Sequence, residues 1–209
     1  MKTLTLASLL LVCSYSATAS INDQQLASYY QAAQGDYSQL DQLYKELQKA
    51  HQQQPTDPWT LFYLGGTETF KGDDAWLPWT KMSYTEDGLA RIDKALNMIT
   101  EQQWQQQYRY LPQAIYMQAT AAVTFTKVPD FFNYQQQGMS LFKQVLNDSR
   151  FLQSPAQATS WVFSYAIEAA LDAEQPELAE QWFSQLKQRG LNDEFGKNAE
   201  QLMTQHAKG

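Results

Sequence analysis

Apolar residues recur along this chain every three or four positions, and the recurrence breaks off at regular intervals. Leu40, Leu43, Tyr44 and Leu47 follow an i, i+3, i+4, i+7 pattern, and Leu89, Ile92, Leu96 and Ile99 fall on one stripe. Leu141, Phe142, Val145 and Leu146 do the same, as do Leu178, Trp182, Phe183 and Leu186. Such a period lines up apolar side chains along one side of an α-helix. No stretch alternates with period two for long enough to predict a sheet. The spacing predicts about nine helices, near residues 22–34, 38–52, 58–71, 84–100, 110–125, 134–148, 155–173, 176–189 and 194–206. Short connections should pack successive helices as antiparallel hairpins. The segment 155–173 is apolar nearly all round, through Trp161, Phe163, Tyr165, Ile167 and Leu171, which predicts a helix sandwiched between neighbours.

Prolines and glycines punctuate this pattern. Asp57-Pro58, Ser154-Pro155 and Gln175-Pro176 read as helix starts, with proline at the first helical position, where its missing N–H costs nothing. Ser154 and Gln157 have the spacing of a capping box. Pro112 should open a further helix, Pro55 follows one, and Pro78 and Pro129 are expected in loops. Gly72 and Gly190 stand where helices should end.

The second helix of each expected hairpin carries a small or apolar residue, a larger apolar one four positions on, and another three further. Leu40–Tyr44–Leu47, Gly88–Ile92–Ala95, Gly138–Phe142–Val145 and Ala179–Phe183–Leu186 show it. Gly35-Asp36-Tyr37 leads into the first of these and Gln175-Pro176-Glu177 into the last, while Leu61-Phe62-Tyr63-Leu64-Gly65 lies in a first helix. These motifs resemble the tetratricopeptide repeat. The anchors Leu40, Gly88, Gly138 and Ala179 lie 48, 50 and 41 residues apart, against a family period of about 34. The middle repeats must therefore hold insertions. The resemblance implies an all-α fold of stacked helix hairpins, a curved scaffold that binds a protein or peptide without catalysis.

The chain's beginning bears on compartment. Met1-Lys2, the apolar run from Leu4 to Val12 and Ala17-Thr18-Ala19 have the form of a cleaved secretory signal. The expectation is a signal peptide at 1–19 and one helical domain at 20–209, periplasmic or secreted, with no membrane span once the signal is removed. Leu10-Leu11-Val12-Cys13 puts bulky Val12 where a lipidation signal holds a small residue. Cys13 is the one cysteine, so the processed chain would contain neither disulfides nor thiol chemistry. The formal net charge of −7, with no basic run, disfavours nucleic acid, whose phosphates would repel it. Three glutamine triplets, at 52–54, 105–107 and 135–137, read as solvated helix faces.

Catalytic signatures are scarce. His51 and His206 lack metal-ligand spacing, Ser164 and Ser184 lack a nucleophile-elbow context, and Asp73-Asp74 and Glu86-Asp87 read as solvated or capping carboxylates. No cofactor and no metal is expected. The inserted segments draw more attention. About 11 extra residues fall within 71–84, which holds Asp73, Asp74, Trp76, Trp79 and Tyr84. The corresponding linker of the next repeat, 127–134, holds Phe131 and Phe132. Equivalent linkers of a stacked array share an edge, so Trp76 or Trp79 is expected beside Phe131 or Phe132. Two readings stay open: these aromatics cap the hairpin ends, or they form a binding rim, since rigid aromatic side chains make good anchors. Function is expected to be binding of an envelope protein or peptide. The alternatives are a small-molecule or glycan receptor using the aromatic loops and, behind it, an envelope hydrolase.

Overall fold

The first helix among the described residues is capped by Asn22, whose side chain accepts from the Gln25 amide while the Gln25 side chain accepts from the Asn22 amide. This reciprocal cap satisfies two amides that the helix leaves without partners. The computed structural model describes residues 21–190 and 193–207. The expected signal peptide and Cys13 lie outside the described residues.

The chain is all-α. Helices α1 (Asp23–Ala33), α2 (Leu40–Gln53), α3 (Pro58–Asp74) and α4 (Pro78–Asn97) are followed by a short α5 (Glu101–Gln105). A small hairpin, β1 (Gln107–Tyr108) and β2 (Leu111–Pro112), leads into α6 (Gln113–Lys127). Then come α7 (Gln135–Asn147), short α8 (Ser149–Gln153), α9 (Ala156–Asp172), α10 (Pro176–Gln188) and α11 (Glu194–His206). Each of the nine expected helices is present, and two short ones, α5 and α8, join them. The β1–β2 pair was not expected.

Local chemistry explains the boundaries. Asp57 caps α3 by accepting from the Trp59 and Thr60 amides, with Pro58 at the first turn. Pro176 likewise stands in the first turn of α10, though Gln175 before it makes no side-chain cap. Two expectations need correction. Ser154 and Gln157 form no capping box: Pro155 is the cap residue of α9, and the Ser154 hydroxyl donates back to the Arg150 carbonyl. Pro78 lies not in a loop but in the first turn of α4, which starts six residues earlier than the apolar stripe suggested. A proline at that position presets φ for a helix. The insertion at 71–84 is thus absorbed by lengthening both helices, leaving Ala75, Trp76 and Leu77 as the connection. Gly72 lies inside α3 and is buried against Thr85 of α4, rather than ending the helix.

The helices pair as hairpins α1–α2, α3–α4, α6–α7 and α9–α10, with α11 packed on α9. Neighbouring hairpins touch through α2 and α3, α4 and α6, and α7 and α9. The first helices also meet in a row: α1 on α3, α3 on α6, α6 on α9, α9 on α11. Helix α9 is flanked by α6, α7, α10 and α11 as its apolar circumference requires. The core runs through this row, with Phe62 and Leu64 of α3, Ile115, Met117 and Phe125 of α6, and Phe163 and Ile167 of α9 all buried. The anchors Leu40, Gly88, Gly138 and Ala179 are buried.

Candidate functional site

The row of first helices leaves one large concavity, a half-open groove of about 1120 Å³. It is lined by Tyr29 and Tyr30 of α1, Thr69 and Phe70 of α3, Tyr116 and Val123 of α6, Trp161 and Tyr165 of α9, and Phe195 of α11. Arg109 and Tyr110 enter from the β1–β2 turn. No lining residue belongs to α2, α4, α7 or α10, so the groove is a property of one side of the stack.

Its wall near α1 is built on tyrosines from four separate elements. The Tyr30 hydroxyl lies 2.6 Å from that of Tyr116, 2.9 Å from that of Tyr108 and 3.4 Å from that of Tyr63. One phenol donates once and accepts twice, so three neighbours fill the hydrogen-bonding capacity of Tyr30. The rings lock edge to face, Tyr108 on Tyr116 at 4.7 Å and Trp59 on Tyr63 at 4.9 Å between centroids. Burial pushes the Tyr30, Tyr63 and Tyr116 phenols above their ordinary range. They act at neutral pH as neutral donors and acceptors.

The β1–β2 hairpin pairs Gln107 with Pro112 and Tyr108 with Leu111, which leaves Arg109 and Tyr110 as a two-residue turn. Both have positive φ, 49° and 66°. This is a type I′ turn, for which Asn-Gly is the low-energy sequence. Side chains with a Cβ pay for that conformation, and such strain persists where surrounding packing enforces it. The outcome is a guanidinium 4.0 Å above the Tyr30 ring centroid and a Tyr110 side chain that is 77% exposed at the rim.

Toward α9, the Trp161 indole N–H donates to the Ala158 carbonyl at 3.0 Å, which fixes the ring as part of the groove wall. Lys127 lies on the same rim and pairs with Glu168 at 2.5 Å. None of the lining residues is acidic, although the chain holds 22 Asp and Glu. Among the described residues no carboxylate pairs with Arg109.

No protein-family model matches the chain, and no curated protein or solved structure matches it. Its chemistry must be read from its own side chains.

The residues singled out in the sequence lie elsewhere. Asp73 and Asp74 are exposed at the end of α3, where Asp73 accepts from the Tyr37 hydroxyl and faces Lys81 at 3.9 Å. Trp76 is 93% exposed in the connection, and Trp79, in the first turn of α4, is 69% exposed. Tyr84 is half-buried, edge-on to Tyr44 at 6.0 Å, with the Lys71 ammonium 5.2 Å from its ring. Phe131 is 60% exposed in a 3₁₀ turn and stacks on half-buried Phe132 at 4.4 Å. Among the described residues no ring contact joins Trp76 or Trp79 to either phenylalanine. None of these side chains lines the groove. Trp76 and Trp79 do not cap the hairpin by burial, since both rings stand largely in solvent.

The groove escaped sequence reading because its parts look like core. Tyr116 and Trp161 belong to helices that are apolar on almost every side. One local signal was available: Trp161 and Tyr165, the two aromatics of α9 with a polar tip, stand four apart on one face, and both are half-buried in the structure. Among the described residues no cluster of three His, Cys, Asp or Glu has the arrangement of a metal site.

Proposed function

We propose that this chain is an exported, non-catalytic binding protein of the cell envelope, a scaffold that holds an extended segment of a partner protein in the groove. The observation that carries the reading is the groove's course across the first helix of every hairpin, from Tyr29 on α1 to Phe195 on α11. Packed helices lie about 8–10 Å apart, so five in a row span roughly 30–40 Å. That length suits about ten residues of extended chain at roughly 3.3 Å each. Its aromatic walls suit the alternate side chains of such a segment. The four-then-three spacing of Leu40–Tyr44–Leu47 and Gly138–Phe142–Val145 within single helices, which resembles that of tetratricopeptide helices, adds support from the sequence. A small-molecule receptor working through the 71–84 segment would need Trp76 or Trp79 to enclose a pocket, and both stand in solvent.

The test is selection of random peptides of about 12 residues on the purified protein, followed by affinity measurement on two variants. Trp161→Ala should weaken the enriched peptides by about tenfold or more, as expected for a preformed aromatic anchor. Trp76→Ala should leave them unchanged. Failure to enrich any peptide, or loss of binding in Trp76→Ala alone, contradicts the reading.

A further inference from the structure

The groove carries an uneven charge. Two cations line it, Arg109 and Lys127, and no acid does. Lys127 is already neutralised by Glu168 at 2.5 Å. Arg109 has the Tyr30 ring beneath it at 4.0 Å and the Tyr108 ring at 5.7 Å, but no carboxylate partner among the described residues. In a chain of net charge −7, acids are plentiful, so an acid-free lining around an unpaired guanidinium is a local departure from the whole. An aromatic face beneath it holds the guanidinium in place while its N–H groups still donate in the guanidinium's own plane. The turn that presents it keeps two non-glycine residues at positive φ, a conformation with a cost of its own.

We infer that Arg109 is the specificity residue of the groove and binds a carboxylate of the bound segment, so that the partner's segment combines apolar or aromatic residues with Asp or Glu. This rests on the groove's being the binding surface. The guanidinium fork matches a carboxylate with two parallel hydrogen bonds, and the tyrosine hydroxyls beneath it are engaged with one another. Tyr110 beside it offers an exposed ring to the neighbouring residue of the segment. Acidic segments would otherwise be repelled by this protein's net charge, so Arg109 also discriminates by position: only a carboxylate placed at the β1–β2 turn is accepted.

The probe is the tightest peptide from the selection described above, made with each of its Asp and Glu residues replaced in turn by Asn and Gln. Fluorescence anisotropy with wild-type protein should show one carboxylate whose amide replacement weakens binding about tenfold or more. In Arg109→Gln the acidic and amide peptides should bind alike. In Arg109→Lys, which keeps the charge but not the fork, part of the preference should return. Raising the salt concentration from about 0.05 to 0.5 M should weaken the acidic peptide and spare its amide counterpart. Circular dichroism of both variants serves as the folding control. Selected peptides without acids, or a carboxylate preference that survives Arg109→Gln, would overturn the inference while leaving the groove intact as a binding surface. If no peptide binds, or Trp161→Ala has no effect, the groove reading itself fails and the role of Arg109 falls with it.

Discussion

Gly65 of α3 and Gly88 of α4 pack backbone on backbone: a Cβ at Gly88 would stand 2.6 Å from the Gly65 carbonyl oxygen, and one at Gly65 would stand 2.7 Å from that of Gly88. The same Cβ at Gly88 would meet the Thr69 amide nitrogen at 2.8 Å. No flexible side chain can yield here, so the helices themselves would have to separate. Alanine favours an isolated helix over glycine by about 1 kcal/mol. The clash should outweigh that gain. Gly88→Ala is expected to destabilise the protein by about 1–3 kcal/mol, lowering the melting temperature by several degrees. A variant as stable as wild type would mean that α3 and α4 do not cross this closely.

Trp79 offers the opposite case. It is 69% exposed, so removing it forfeits little burial. Trp79→Ala should stay within about 0.5 kcal/mol of wild-type stability in denaturant unfolding, as surface substitutions do. A loss of about 3–5 kcal/mol, the cost of emptying a core site, would show that something covers this ring.

His51 makes stability depend on pH. Its Nδ1 is buried with no hydrogen-bond partner among the described residues, and burial, with the nearby Arg91 and Lys94 charges, lowers its pKa below the ordinary 6.5. The folded state therefore resists protonation more than the unfolded chain does. Above pH 6.5 both are neutral and the residue contributes no pH dependence. Below it, protonation favours the unfolded chain, and stability falls until the folded-state pKa is passed. Wild type should lose more melting temperature than His51→Gln between pH 7.5 and 5. Equal losses in the two proteins would remove His51 from the account.

Export can be checked directly. Protein recovered from the cell envelope should begin at Ser20 by N-terminal sequencing, following the Ala17-Thr18-Ala19 site. An intact Met1, or a lipid on Cys13, would contradict the secretory reading.

Much of the fold was legible because helices announce themselves locally. The stripes at 40–47 and 141–146 fix which side of α2 and α7 is buried, and the anchors Gly88 and Gly138 mark where backbones approach. The start of α4 was misread because Trp79 and Met82 leave its first turns without a buried stripe, and both are exposed. The β1–β2 hairpin was illegible for a different reason. Its turn is Arg-Tyr, with neither the glycine nor the asparagine that signals a type I′ turn. The tyrosine cluster was beyond any local reading, since Tyr30 and Tyr116 are 86 residues apart in sequence and meet only through packing. Composition stands out in the exposed, aromatic-rich connections at 71–84 and 127–134, whereas the concavity arises only from helix stacking.

The claim that the groove is the binding surface is tested most directly by photocrosslinking. The tightest selected peptide would carry a photoreactive phenylalanine analogue at each apolar position in turn, and adducts would be mapped by mass spectrometry. The account predicts adducts on the groove walls, at Tyr110, Trp161, Tyr165 or Phe195, and none at Trp76 or Trp79. Adducts confined to residues 76–82 or to Phe131 would contradict it and return the site to the exposed connections.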